Sequence, residues 1–166
     1  MNALPTTLVN LTAERVALRA MQDSDADALF AIYGDSEVMR YASDPTFPSR
    51  ETVFTMLTSV RSLLAAGSAL EWAITDRNTN QLVGTCGIHS LQASMGAAEL
   101  GCMLARQFWG KGYMHEALFP VIDYSRESLG LIRLLADIDT PNTRSIRLFQ
   151  RLGFRHVEGT IYCREL

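Results

Sequence analysis

A chain of 166 residues suffices for one domain, here read over 1–166, that buries about two thirds of its unfolded surface. Its 48% hydrophobic and 20% charged residues are ordinary for a globular protein, and a formal charge of −3 leaves no basic footprint for nucleic acid. Three scattered cysteines, Cys86, Cys102 and Cys163, without a C-x-x-C pair, argue for free thiols in a cytoplasmic protein rather than a disulfide framework. Met1–Leu11 has neither the basic start nor the apolar core of a leader, and no 18-residue apolar run predicts a membrane span.

Along the chain, Arg15–Ala20 alternates as a strand. Asp23, Ser24 and Asp25 are cap candidates for a helix reaching Gly34. Asp35–Pro48 reads as irregular. A second helix is predicted over Arg50–Ala66, with Val53, Met56, Leu57, Val60, Leu63 and Leu64 at helical spacing. Leu70–Thr75 and Leu82–His89 form a hairpin, and Ala97–Ala105 is the next strand. Tyr113–Leu129 is the clearest helix, although Pro120 should kink it. Ile132–Ile138 alternates as a strand, a last helix runs from Thr140 to Gly153, and Phe154 onward is extended. The order β-α-α-β-β-β-α-β-α-β predicts an α+β or mixed α/β sheet with helices flanking it. Its Ala97–Ile138 unit is a parallel, right-handed crossover.

The most informative segment lies inside that unit, Arg106-Gln107-Phe108-Trp109-Gly110-Lys111-Gly112-Tyr113. A strand that turns through two glycines into a helix N-terminus lets backbone N–H groups converge on an anion. A Walker loop fails because Gly112 stands where a Ser or Thr must follow the lysine. A dinucleotide fingerprint fails because His115 stands where the third glycine belongs. Gln107-x-x-Gly110-x-Gly112 remains, with a ligand-free glycine turn as the competing reading of those residues alone.

The pattern resembles the acetyl-CoA diphosphate loop of the Gcn5-related N-acetyltransferase (GNAT) superfamily. Asn142-x-x-Ser145-x-x-Leu148-x-x-x-x-Gly153-Phe154 is similar to a second segment of that family, at the expected distance. Ala98-Glu99-Leu100-Gly101, Phe108–Tyr113 and Asn142-x-x-Ser145 resemble its RimJ/RimL branch, as does Leu8 through Arg19. The resemblance implies a central mixed sheet whose parallel strands splay into an acetyl-CoA cleft. It implies direct acetyl transfer to an amine in a ternary complex, with a protein N-terminus as acceptor; a polyamine, amino acid or aminoglycoside is the alternative. A catalytically silent acyl-CoA sensor or scaffold is the non-enzymatic alternative.

The resemblance also implies roles. Met103 and Leu104 would pair with the pantetheine arm, the Met103 N–H facing the acetyl oxygen. Gln107, Gly110, Gly112 and Tyr113 belong to the diphosphate loop, with Lys111 and Arg147 as charges near the phosphates. Trp109 is assigned to the cofactor side, where it and Phe108 pack under the loop. Asn142 would bond the pantetheine amide, or simply cap its helix. Glu99 is the expected general base and Glu71 its rival. The family's thiolate-protonating tyrosine is replaced by Phe149, so Ser145 takes that role, unless it only serves the helix start. Tyr41, Asp44 and Phe47 are expected to shape the acceptor site. No metal is implied: His115-Glu116 lacks a second ligand at Phe119, and His89, His115 and His156 share no ligand spacing. Cys102 has no base beside it and is assigned to the core. After Phe154 there is room for about one strand where the family has two. The edge left unpaired suggests a partner subunit, possible as a homodimer.

Overall fold

The computed structural model describes residues 3–166; Met1 and Asn2, where the segment read as leaderless begins, lie outside them. The elements are β1 (Leu11–Thr12), β2 (Val16–Arg19), α1 (Ala26–Tyr33), α2 (Glu51–Ala65), β3 (Leu70–Asp76) and β4 (Leu82–Gln92). They continue as β5 (Ala97–Leu104), α3 (Tyr113–Glu127), β6 (Arg133–Asp137), α4 (Thr143–Arg151), β7 (Arg155–Glu158) and β8 (Ile161–Glu165). One eight-stranded sheet runs β1-β2-β3-β4-β5-β6-β8-β7. Every pair is antiparallel except β5–β6, which the α3 crossover makes parallel as expected. The expected mixed sheet is present.

Two expectations are corrected. The tail holds a hairpin rather than one strand, because Gly159 at φ 53° lets Gly159-Thr160 turn between β7 and β8. β8 inserts beside β6, so the argument for a partner covering a missing strand falls. Pro120 does not interrupt α3, which continues on both sides of it. The proline sits on the partly exposed side of a helix whose other face is anchored by Met114, Ala117, Leu118, Val121 and Ile122.

Residues directly opposite on paired strands share a sheet face. On one face Trp72, Ile74, Cys86, Ile88, Ala98, Leu100, Leu134 and Ala136 meet α3, Phe149 of α4 and Phe154. On the other, Ala73 packs with Ala26, Leu29 and Ile32 of α1 and Val53 and Leu57 of α2. These two helices cover the β2–β4 region. The row through Glu71, Gly87 and Gly101 and the row through His89 and Glu99 carry on along this second face.

Candidate active site

The split begins at a definite residue. β5 pairs with β6 only through Ala97–Arg133, Ala98–Leu134 and Glu99–Leu135, yet it stays on β4 until Leu104 faces Gly84. From Gly101 to Leu104 one edge of β5 therefore has no strand beside it, and all four residues are half-buried. Met103 and Leu104, expected to pair with an extended arm, lie in this opening. Such an edge takes up extended chains through its backbone groups.

At the end of β5 the chain enters a tight turn, Arg106–Phe108, and Trp109 Nε1 donates to the Leu104 carbonyl at 2.8 Å. Gly110 and Gly112 then adopt φ 73° and 81°, and α3 starts at Tyr113. None of the N–H groups from Gly110 to His115 has a backbone acceptor among the described residues; the first bonded one is Glu116, to Gly112. Six consecutive donors at the positive end of a 15-residue helix form an anion cradle. A side chain at Gly112 would be strained and would press on the Arg15 guanidinium at 3.3 Å.

The cradle is braced from behind. Arg15 holds Glu116 through its backbone N–H and through Nε at 2.7 Å, and its guanidinium lies 4.8 Å from the Tyr113 ring. Burial opposes the Glu116 charge, but these Arg15 bonds outweigh it and hold the carboxyl below its ordinary range. The Tyr113 hydroxyl donates to Asp76 at 2.6 Å, which lowers Asp76 and raises the phenol. Phe108 meets the Tyr113 ring edge-on at 5.3 Å and lies 5.9 Å from the Lys111 ammonium. Gln107 is exposed and lines a cavity of about 360 Å³ beside α1, where Arg106 pairs with Asp35 at 3.1 Å.

Across the split, Asn142 Oδ1 accepts from Ser145 N at 3.3 Å, so the asparagine does cap α4. Ser145 is half-buried, and its hydroxyl has no partner among the described residues. The guanidinium of Arg144 stacks 3.6 Å from the Trp109 ring centre and ties α4 to the loop. Arg147 is exposed and joins none of these contacts.

Most of the side chains expected to serve the acceptor lie toward the α1–α2 face of the sheet. Glu71, Gly87 and Gly101 stand directly abreast on β3, β4 and β5. Gly87 has no side chain in the way, and the Glu71 carboxyl lies flat over it: a Cβ there would sit 2.1–2.4 Å from the carboxyl atoms. Burial raises this carboxyl to about 7. In the next row Tyr33 meets Thr85 hydroxyl to hydroxyl at 2.7 Å, and burial pushes the phenol up. Phe47 stacks on Tyr33 at 5.1 Å, and Tyr41 reaches across to the Pro141 carbonyl at 3.4 Å. Asp44 is exposed on the same strap. Glu99 lies on the other flank, 3.7 Å from His89 Nδ1.

The structure thus sets Phe47 on Tyr33, Tyr41 on the Pro141 carbonyl, Glu71 over Gly87 and Glu99 beside His89, and leaves Arg147 outside these contacts. Sequence reasoning missed Tyr33, Gly87, His89 and Arg144. Glycines at 87 and 101 inside strands were the available signal, since such positions mark close approach. Among the described residues no cluster fits a metal ion. Cys102 is a poor acyl carrier, because burial raises its thiol to about 12.

Free N–H donors at a helix start, beside a parallel split, are the arrangement of a site for a phosphate-bearing ligand with an extended arm. Residues 15–155 match the acetyltransferase (GNAT) domain family. An uncharacterized N-acetyltransferase of Bacillus licheniformis, p20, is 36% identical over 145 residues, covering 87% of this chain and 82% of that protein. The ribosomal protein uS5-alanine N-acetyltransferase of Escherichia coli is 28% identical, covering 88% and 78%. The solved structure of Mycobacterium smegmatis RimJ in complex with CoA-disulfide superposes with a TM-score of 0.82 at 19% identity, covering 98% of this chain and 90% of that one. The chain belongs to the GNAT acetyltransferase family and is an acetyl-CoA-dependent N-acetyltransferase.

Proposed function

We propose that the acceptor is the N-terminal amine of a protein. The observation that carries this reading is Glu71, a half-buried carboxyl raised to about 7 that lies over Gly87, the residue abreast of Gly101 on β5. A carboxyl of that basicity takes a proton from an ammonium near neutrality far better than an exposed carboxylate does. The resemblance to the uS5-alanine enzyme supports a protein substrate.

The bound cofactor supplies a thioester, an acetyl group already activated for transfer. The chain's residues hold and orient it. The N–H groups of Gly110, Lys111, Gly112 and Tyr113 are the donors for the diphosphate, with Gln107 and Trp109 framing the loop. Met103 and Leu104 pair with the arm, and Asn142 adds a polar contact across the split. The Met103 N–H polarises the acyl oxygen, a contribution of a few kcal/mol. Ser145 would offer a hydrogen bond to the cofactor's sulfur, which as a thiolate takes its proton from solvent, Glu71 would take the amine proton, and Glu99 lies at the far flank. Tyr41, Asp44 and Phe47 shape the entrance, and Arg147 adds only long-range positive charge. Three free thiols suit a reducing, cytoplasmic setting.

The test is a panel of hexapeptides with different first residues, scored by thiol release and by the mass of the product. Acetylation confined to the α-amine, with a preference for one first residue, is expected. Faster acetylation of spermidine, free amino acids or aminoglycosides would replace the protein acceptor. No turnover of any amine, with acetyl-CoA still bound, would point to a sensor.

A further inference from the structure

Resting on the reading of the Glu71 site as the acceptor site, we infer that His89 carries the amine's proton from Glu71 to solvent, with Glu99 as its positioning residue. Four features of β4 converge on this side chain. Its Nε2 leans over Gly101, 3.3 Å from where a Cβ would stand, two residues past Glu99, the last residue of β5 paired with β6. Its Nδ1 lies 3.0 Å from the Ser90 hydroxyl and 3.7 Å from Glu99. Ser90 is exposed and adopts φ 52°, a conformation rarely held by a residue with a side chain. The β4–β5 register slips between His89 and Gln92, an irregularity of the kind that re-aims a side chain.

The ring therefore joins two environments. Glu71 lies over Gly87 and His89 Nε2 leans over Gly101, glycines paired across β4 and β5 at one strand spacing of about 5 Å, and a water between the two groups completes the proposed path. Glu71 from β3 and Glu99 from β5 are the charged groups that face the imidazole. The proposed tautomer has hydrogen on Nδ1, donated to the Ser90 hydroxyl at 3.0 Å and favoured by the Glu99 carboxylate 3.7 Å away, which leaves Nε2 free to accept. The proton taken by Glu71 passes through water to Nε2, restoring the carboxylate. The resulting imidazolium gives its Nδ1 proton to solvent beside Ser90, and the neutral ring regains its first tautomer by exchange with water. Nothing is oxidised or reduced.

The test uses His89→Ala with an alanine-initiated hexapeptide, or spermidine if peptides are inert. In dilute buffer kcat falls about tenfold, while the peptide KM and the acetyl-CoA thermal shift stay within twofold of wild type. Added imidazole restores kcat in proportion to its concentration. A loss that imidazole does not restore, or no loss, overturns the proposal. A second measurement needs no acceptor: 15N spectra of the His89 ring should show hydrogen on Nδ1 in the wild type and a shift toward Nε2 in Glu99→Ala. A wild-type ring with hydrogen on Nε2, or a spectrum indifferent to Glu99, overturns it equally. Inert peptides with active spermidine would overturn the protein-acceptor reading and leave His89 to be judged by these results.

Discussion

The cofactor side and the acceptor side of the cleft are built from different materials. Between Gly101 and His115 the functional groups are backbone amides, aimed by two positive-φ glycines and by a strand that loses its neighbour after Glu99. The side chains proposed for the acceptor side, Glu71, Tyr33, Phe47, His89 and Glu99, come from five separate stretches of chain. A backbone site tolerates changes in most side chains and fails when φ is wrong. A side-chain site can change its substrate while the fold and the cofactor stay the same.

Gly112→Val attacks the backbone side directly. At φ 81° and pressed on Arg15, valine should weaken acetyl-CoA binding at least a hundredfold, read as loss of the cofactor's thermal shift at concentrations that saturate the wild type. The acceptor side should answer to pH instead. With Glu71 raised from 4.5 to about 7, kcat/KM should climb through pH 7 as the carboxyl ionises. The same shift has a stability sign. The folded chain holds the Glu71 proton more tightly than the unfolded one, so that contribution is full below about pH 4.5 and is lost as pH rises through 7. Glu71→Gln escapes this loss and should be more stable than wild type at pH 8, by at most about 3 kcal/mol in a denaturant titration. Solvent reaching the half-buried carboxyl reduces that figure.

Smaller effects test the joints between the two sides. Gly87→Ala puts a methyl where the Glu71 carboxyl lies, so the carboxyl must move; kcat should fall about tenfold, with acetyl-CoA affinity unchanged. Arg144→Ala removes the stack on Trp109 that ties α4 to the loop, and at about 1 kcal/mol it should weaken acetyl-CoA a few-fold by calorimetry.

The same contrast explains what could be read from the sequence. Gly110, Gly112 and Asn142–Phe154 are local patterns whose spacing is set by backbone geometry, and the cofactor side was legible from them. The strand and helix order was legible too, because hydrophobic periodicity marks the faces that α3 and α2 bury. The terminal hairpin was not: Gly159-Thr160 turns β7 and β8 in two residues, and β7 is exposed at every position, so no alternation announced it. Glu71 was legible only as the rival to Glu99, not as a carboxyl of raised basicity. Its basicity comes from burial across from Gly87, a residue 16 positions away. His89 reads as an unremarkable histidine until the strand register sets it beside Glu99 and Gly101.

Binding of the cofactor and activation of the acceptor should be separable in this cleft. Calorimetric titration of acetyl-CoA into wild type and Glu71→Gln, with turnover measured on the same samples, tests it most directly. Equal acetyl-CoA affinities and a fall in kcat of about a hundredfold or more are expected. Unchanged turnover, or affinity lost together with turnover, would contradict it.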